Sequence, residues 1–112
     1  MSSDLARDFL LGFIKLHILY HASQEPIYGR EFQNELKRHG YEMSFGTLYP
    51  IFHKLYQKGY LKLDKVKVKG KIRKYYSITK RGSKVLEESK LKVKELFDEL
   101  FEEKSFTFPG HP

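Results

Sequence analysis

The fold is decided by Tyr60-Leu61-Lys62-Leu63-Asp64-Lys65-Val66 and Ile72-Arg73-Lys74-Tyr75-Tyr76-Ser77-Ile78, two segments in which apolar and polar residues alternate. Alternation with a period of two predicts β-strands with one apolar face. The linking segment, Lys67-Val68-Lys69-Gly70-Lys71, contains a glycine that suits a tight turn. Together they predict a β-hairpin, whose second strand places Ile72, Lys74, Tyr76 and Ile78 on one face. Because two strands alone are marginally stable, this hairpin must pack against helices.

Three helices are predicted before the hairpin, and they span Asp4 to Ala22, Tyr28 to His39 and Ser44 to Lys58. In the third helix, helical spacing gives a core face made of Leu48, Ile51, Phe52 and Leu55. Pro50 favours Thr47 as the N-cap, because the proline then stands in the first turn, where its missing N–H is harmless. If Ser44 is the cap instead, Pro50 should kink the helix.

The first helix carries apolar residues on nearly all sides. One stripe consists of Leu5, Phe9, Phe13, Leu16 and Tyr20, and a second consists of Leu10 or Leu11, Ile14 and Ile18. A helix of this kind must be buried on two sides. In so small a domain, we expect the second side to meet another subunit.

A long helix is predicted after the hairpin, from an N-cap at Thr79 to about Glu103. Its apolar residues Leu86, Val93 and Leu100 repeat at seven, with Leu96 and Phe97 between them. This spacing indicates a short coiled-coil-like seam with a second subunit. The alternative is that the same residues pack on their own domain.

The order helix, helix, helix, hairpin, helix predicts a mainly α fold with a small β-hairpin (α+β). It is the order of a winged helix-turn-helix, here with a long C-terminal dimerisation helix. We predict a winged-helix DNA-binding domain at 1–79, the dimerisation helix at 80–104 and a flexible tail at 105–112, which proline and glycine interrupt.

The positive charge of the chain is concentrated in one segment. The formal net charge is +7, but residues 60–84 alone contain ten bases and one acid, so the rest of the chain is slightly acidic. The ten bases are Lys62, Lys65, Lys67, Lys69, Lys71, Arg73, Lys74, Lys80, Arg81 and Lys84. A segment of this kind favours a polyanionic partner; the alternative is a solvated, lysine-rich face.

Several classes of function are excluded or disfavoured. There is no cysteine, so disulfides, thiolate nucleophiles and cysteine-based metal sites are impossible. His17 and His21 have a zinc-compatible spacing, but the pattern supplies neither the glutamate of zincin motifs nor a third ligand. No catalytic arrangement is visible, so we expect no enzyme, metal or cofactor. With no signal peptide and no apolar stretch long enough for a membrane span, we expect a cytoplasmic protein.

Three motifs resemble those of one known family. They are Gly46-Thr47-Leu48-Tyr49-Pro50-Ile51-Phe52-His53-Lys54-Leu55 with Lys58-Gly59-Tyr60-Leu61, then Tyr28-Gly29-Arg30-Glu31-Phe32, and Arg73-Lys74-Tyr75-Tyr76-Ser77-Ile78-Thr79-Lys80-Arg81-Gly82. In this order and spacing they closely resemble the PadR family of bacterial and archaeal transcriptional regulators. The resemblance covers roughly Leu10 to Leu86, and the single C-terminal helix is similar to the short subfamily.

The resemblance implies binding to double-stranded DNA, with the third helix in the major groove and the hairpin as the wing. Thr47 and Tyr49 match family positions that contact DNA; for Tyr49 the alternative is packing against a neighbouring helix. We expect Lys67, Lys69 and Lys71 to project together onto phosphates, so that the wing sets affinity and the helix selects the site. The predicted contacts are Tyr28, Ser44, Gly46, Thr47, Tyr49, Pro50, His53, Lys54, Gln57, Lys67, Lys69, Lys71, Arg73 and Lys74.

The resemblance also implies a homodimer in which the first and last helices of two subunits pair. Such a dimer predicts a pseudopalindromic operator. In the family, binding to the operator usually represses transcription. The predicted interface residues are Leu5, Phe9, Phe13, Leu86, Val93, Leu96, Phe97, Leu100 and Phe101. In some short members an aromatic compound binds between subunits beside a tryptophan. This chain has no tryptophan, and its phenylalanines are either a lining for a small aromatic effector or ordinary dimer core.

The rival interpretation is a winged-helix module that binds protein or RNA, because the fold alone serves all three roles. The charge on the hairpin discriminates between them, since a protein-binding wing does not require so large an excess of lysine and arginine.

Overall fold

A computed structural model describes residues 3–102 and confirms the predicted order of elements and the α+β class. The elements are α1 (Asp4–Gln24), α2 (Gly29–Arg38), α3 (Phe45–Gln57), β1 (Leu61–Val68), β2 (Lys71–Ile78) and α4 (Lys80–Phe101). The first helix begins at Asp4 as predicted, and the other predicted helix ends differ by at most two residues, which is the usual uncertainty of helix boundaries. The tail predicted at 105–112 lies outside the described residues.

The helix starts are fixed by hydroxyl side chains. Thr79 caps α4 as predicted, because its side chain accepts the Gly82 N–H at 2.9 Å. The predicted cap at Thr47 is wrong: Ser44 caps α3 and accepts the Thr47 N–H at 3.2 Å. The helix nevertheless continues through Pro50. The carbonyl that Pro50 leaves without a helical donor belongs to Gly46, which is exposed, so water can satisfy it.

The hairpin is antiparallel, with its strands paired from Leu61↔Ile78 to Val68↔Lys71. This register leaves Lys69 and Gly70 as a two-residue turn, and their φ angles of 50° and 81° are both positive. Positive φ at both central positions defines a type I′ turn, the connection that matches the twist of a hairpin.

The core lies between α1, α2, α3 and the base of the hairpin. The Phe52 ring is at its centre, 5.7 Å from the ring of Phe32 and 4.8 Å from that of Tyr76. Ile27 exchanges two backbone hydrogen bonds with Tyr76, at 2.9 and 2.7 Å, and so ties the segment before α2 to the sheet edge. The largest fully buried side chains are Phe32, Phe52, Ile14, Ile18, Leu36, Leu48 and Leu61.

The hairpin and α4 meet at a tight joint. The Thr79 hydroxyl donates to the Gly59 carbonyl at 2.6 Å, and the Thr79 N–H donates to the Tyr60 carbonyl at 3.1 Å. A Cβ atom on Gly82 would lie 2.1 Å from the same Tyr60 oxygen, so only glycine fits there. The start of α4 is therefore held directly against the base of the hairpin.

Helix α4 extends away from the rest of the domain and gives the described chain extents of 67 × 34 × 22 Å. Only Gly82 and Leu86 of this helix are buried, while Val93 and Phe97 are more than half exposed. The alternative in which the whole seam packs on its own domain is therefore wrong. Leu86 differs from the other predicted interface residues, because it is only 6% exposed and belongs to the core of its own domain.

Candidate nucleic-acid interface

The predicted reading helix, α3, places its core face as expected, with Leu48, Phe52 and Leu55 buried. Its outer side consists of Gly46, Thr47, Pro50, Lys54 and Gln57, which are exposed, and Tyr49 and His53, which are half-buried. The Ser44 and Thr47 hydroxyls lie 3.1 Å apart and hydrogen-bond each other. The start of α3 therefore presents a linked pair of hydroxyl groups to solvent.

An aromatic row follows the outer side of α3. The Tyr49 ring stacks on that of His53 at 5.8 Å and contacts that of Phe45, also at 5.8 Å. Phe45 is not among the predicted contacts, although the aromatic residues at 45, 49 and 53 are spaced by four and so share one side of the helix. Phe45 is 43% exposed, and its ring lies so close to Gly29 that a Cβ there would overlap it. Gly29 thus allows α2 and α3 to approach each other.

The lysines at the hairpin tip do not all project together as predicted. Lys67 pairs with Ile72, whereas Lys71 pairs with Val68. Directly paired residues share a face and successive residues alternate, so Lys67 and Lys71 lie on opposite faces. Lys69 occupies the turn itself. The prediction failed because a two-residue turn interrupts the alternation on which it relied.

The ten basic residues of the segment 60–84 have no ion-pair partner among residues 3–102, although the charge of Glu31 also acts on Arg73. Lys65 even lies directly opposite Lys74 in the register, where like charges repel and destabilise the hairpin. The fold therefore keeps this charge available instead of pairing it internally.

Two basic residues of β2 are held by tyrosines. The Arg73 guanidinium lies 4.2 Å from the centre of the Tyr28 ring, and it donates a hydrogen bond to the Tyr75 hydroxyl at 3.4 Å. This hydrogen bond raises the pKa of Arg73. Lys74 donates to the Tyr49 hydroxyl at 3.2 Å and lies 4.8 Å from the centre of that ring. Arg73 thus contacts the start of α2, and Lys74 contacts α3.

A cleft of about 410 Å³ lies between α2, α3 and β2. Its cations are Arg30, Arg73 and Lys74, and no carboxylate of the described chain lines it. The remaining lining residues are Tyr28, Gly29, Gln33, Phe45, Tyr49, Ile72 and Tyr76. The cleft brings together side chains from three separate motifs, and its chemistry suits an anion with an adjacent apolar surface.

The residues predicted for the dimer interface form an apolar face on α1 and α4. Leu5 is 78% exposed and Phe97 57%, and Phe9, Val93, Leu96, Leu100 and Phe101 are also more than half exposed. Phe13 is half-buried and stacks on Phe9. A groove of about 650 Å³ runs between the two helices, lined by Leu16, His17, Tyr20, Leu86, Lys90, Val93, Lys94, Phe97 and Asp98.

Three histidines, His17, His21 and His39, cluster with Glu35 between α1 and α2, and His21 and His39 contact the Glu35 carboxylate. The His17 ring lies 5.9 Å from that of His21 and 5.4 Å from that of His39. Burial, followed by the charges of these two histidines, lowers the pKa of His17. Burial opposes ionisation of Glu35, but the hydrogen bond from His39 and the charge of Arg38 outweigh it and lower the pKa of Glu35. Within residues 3–102, no group of these side chains has the geometry to hold a metal ion.

Along the part of the chain that the structure describes, no helix is both long and apolar enough to span a lipid bilayer.

Comparison with known proteins gives a consistent result. The sequence pattern of the transcriptional regulator PadR-like family matches residues 18–88. The transcriptional regulator Rv3488 of Mycobacterium tuberculosis is 38% identical over 101 residues, which are 90% of this chain and 94% of the relative.

Solved structures agree with the sequence comparisons. A PadR-like transcription factor from Bacteroides fragilis superposes with a TM-score of 0.76 at 27% identity, covering 88% of this chain and 96% of that one. A PadR-like transcriptional regulator from Bacillus cereus gives a TM-score of 0.72 at 31% identity, covering 87% and 99%. The wing, the three-helix core and the long last helix are thus features that this chain shares with proteins of known structure.

Proposed function

Because the chain belongs to the PadR-like family of transcriptional regulators, which bind DNA, we propose that it acts as a sequence-specific repressor. In this proposal a homodimer in the cytoplasm binds a pseudopalindromic operator, with α3 of each subunit in the major groove and each hairpin on the adjacent backbone. Thr47, His53 and Gln57 offer groups for base edges, and Lys54, Lys67, Lys69 and Lys71 offer charges for phosphates.

The observation that carries this proposal is the basic segment 60–84, whose Lys74 contacts Tyr49 on the outer side of α3. Ten bases with no ion pair among residues 3–102 would lower the stability of the domain through self-repulsion. A polyanion removes that repulsion and releases its own counterions, which supplies most of the affinity in non-specific protein–DNA binding.

Binding of mixed-sequence duplex DNA at several salt concentrations tests the proposal. Each phosphate contact should steepen the fall of log affinity with log salt by about 0.9. A measurable affinity at low salt, with a slope of several units, supports the proposal. No binding, or a slope near zero, contradicts it. Tighter binding to duplex RNA of equal length would instead favour the RNA-binding alternative.

Selection of bound sequences from a random DNA pool tests the operator. A dimer with two-fold symmetry should recover two inverted half-sites at a fixed spacing of about one helical turn or a multiple of it. Recovery of no common sequence would contradict site-specific repression while leaving DNA binding intact.

The homodimer is supported by the apolar face on α1 and α4. Monomeric soluble proteins rarely expose so many neighbouring large apolar side chains, and such a face usually marks an interface. Light scattering at micromolar concentration should give twice the mass of one chain, which is 13.3 kDa. A monomer mass would contradict this part of the proposal.

A small aromatic effector is proposed for the groove between α1 and α4, whose size of about 650 Å³ is within the usual range for ligand sites. Leu16, Val93 and Phe97 would supply the apolar walls. Titration with a planar aromatic fluorophore should give saturable binding that Phe97→Ala weakens. Without saturable binding, or with binding indifferent to Phe97→Ala, the groove is dimer core alone.

A further inference from the structure

The hydrogen bond between Lys74 and Tyr49 determines which kind of group the tyrosine hydroxyl can bind. Lys74 Nζ lies 3.2 Å from Tyr49 Oη, and both side chains are half-buried. An ammonium group has donors and no acceptor, so the phenolic oxygen must accept this bond. The hydroxyl proton of Tyr49 must therefore point to a different acceptor.

The described residues provide no such acceptor. Among residues 3–102, the Tyr49 hydroxyl has Lys74 as its sole hydrogen-bond partner. The ring is held between Phe45 and His53 at 5.8 Å from each, so it cannot easily turn toward another part of the domain. Tyr49 thus presents one free O–H donor at a fixed position, next to a positive charge.

The surroundings of this donor select an anionic acceptor. Tyr49 lines the cleft between α2, α3 and β2, to which Arg30, Arg73 and Lys74 contribute cations. No described carboxylate lines this cleft, although the charge of Glu31 also acts on Arg73. A DNA phosphate is an anion and offers acceptors alone. Base edges in the major groove also offer acceptors, such as guanine N7 and O6. These acceptors are neutral, however, so the three cations of the cleft favour an anionic phosphate over them.

We infer that Tyr49 and Lys74 act as one phosphate-binding unit, in which Tyr49 donates to a backbone phosphate and Lys74 fixes the direction of that donation. This inference rests on the proposed DNA binding and refines it. Tyr49 becomes a backbone contact instead of a base reader, and the choice of sequence is left to Thr47, His53 and Gln57. Lys74 is a positioning residue for Tyr49 as well as a charge.

A double-mutant cycle tests the inference. Tyr49→Phe removes the hydroxyl and keeps the ring, and Lys74→Met removes the charge and keeps the apolar stem. Each should weaken binding to mixed-sequence duplex DNA by about tenfold, the usual value of a hydrogen bond to a charged group. Because the two act together, the double variant should lose much less than the roughly hundredfold expected from independent effects.

Lys65→Met is the matched control. Lys65 lies directly opposite Lys74 in the hairpin and is exposed, so this variant removes an equal charge from the same face. Combined with Tyr49→Phe, it should give independent effects. Lys74→Arg retains a donor and a charge and should restore most of the affinity that Lys74→Met loses.

The possible results distinguish a failure of this inference from a failure of the proposed DNA binding. An additive cycle for Tyr49 and Lys74, or a Tyr49→Phe protein that selects a different sequence from the random pool, overturns the inference while DNA binding stands. Lower melting temperatures with unchanged affinity also overturn it, because the pair would then only fasten the hairpin to α3. A wild-type protein that does not bind DNA overturns the proposed function and this inference together.

Discussion

The molecule has two exposed surfaces that suggest binding partners, an apolar face on α1 and α4 and a basic hairpin, and they differ in the kind of contact that is missing. The face on α1 and α4 exposes large apolar side chains such as Phe9 and Phe97, which lack contact with other apolar atoms. The hairpin exposes lysines such as Lys67 and Lys69, which form no ion pair with any acid of the described residues. Burial of apolar area depends little on salt, whereas attraction to phosphates falls steeply with it. Salt should therefore separate the two kinds of association.

The largest effect is expected from a charge placed in the apolar face. Phe97→Glu should convert the proposed dimer to a monomer, because a carboxylate would then be buried in the interface between the two subunits. Loss of the second binding module should then weaken operator binding by about a hundredfold or more. Light scattering and operator titration measure the two effects.

Leu91→Glu is the control for this variant. Leu91 is also exposed on α4, but helical periodicity places it on a different side from Val93 and Phe97. The Leu91→Glu variant should have the same oligomeric state as the wild-type protein and bind the operator with unchanged affinity. A dimeric Phe97→Glu protein would show that the apolar face has another role.

The second largest effect is expected at the hairpin tip. Replacing Lys67, Lys69 and Lys71 together with Gln should weaken binding to all sequences alike and reduce the salt slope by about 2.7 if each meets one phosphate. The dimer should persist. A changed sequence preference would show that the tip reads bases.

Single variants sharpen this prediction, because Lys67 shares a hairpin face with Lys74 while Lys71 lies on the other face. Lys67→Gln should therefore reduce affinity more than Lys71→Gln, since Lys74 contacts α3. Equal losses would indicate that DNA surrounds both faces of the tip.

A smaller effect is expected at the joint between the two surfaces. Gly82→Ala would place a Cβ 2.1 Å from the Tyr60 carbonyl oxygen. Because this oxygen belongs to the backbone, relieving the overlap would require a shift of the main chain. The free energy of unfolding, measured with urea, should fall by about 1–3 kcal/mol. Gly12→Ala is the matched control: it is also helical, but nothing lies within 4 Å of the added carbon, so stability should be unchanged or higher. Equal effects of the two variants would mean that the joint is not tight.

The smallest effect concerns pH. Burial lowers the pKa of His17 below its ordinary value of 6.5, and its Nδ1 atom is buried without a hydrogen-bond partner among the described residues. Since unfolding raises this pKa, the unfolded chain binds more protons. The contribution of neutral His17 to stability is thus complete above pH 6.5 and is lost as pH falls through the lower, folded value.

Melting temperatures at neutral and mildly acidic pH test this expectation. His17→Gln should flatten the fall in melting temperature toward acid, although His21, His39 and Glu35 remain beside it and Lys90, Lys94 and Asp98 line the same groove. His53→Gln, which removes a histidine from α3, should leave the fall intact. An unchanged pH dependence in His17→Gln would exclude burial of His17 as its cause.

The sequence was most informative where a pattern repeats. The alternation in 60–66 and 72–78 predicted both strands and the face shared by Lys74 and Tyr76, because a period of two maps directly onto an extended backbone. Helical spacing likewise identified Leu48, Phe52 and Leu55 as buried. These predictions needed only local geometry.

Predictions failed where the answer depends on a turn or on contacts between distant elements. The positions of Lys67 and Lys71 depend on which two residues form the turn, and the sequence between the strands permits several choices. The cap at Ser44 overrides the preference of Pro50 for a first turn, since the helix tolerates one unpaired, exposed carbonyl. The bond from Lys74 to Tyr49 joins residues 25 apart, and no local pattern indicates it.

The joint at Thr79 and Gly82 has a mechanical consequence. Thr79 hydrogen-bonds to Gly59 and Tyr60, and Gly82 packs on the Tyr60 carbonyl. These contacts leave little room for α4 and the base of the hairpin to move independently. The hairpin then behaves as a lever whose eight-residue strands reach roughly 26 Å. If the hairpin moves rigidly with α4, a tilt of α4 by about 5° would displace the tip of the hairpin by about 2 Å, which is more than half the length of a hydrogen bond. In the proposed dimer, a change in the crossing angle of the two α4 helices would therefore move the hairpin tips relative to the DNA.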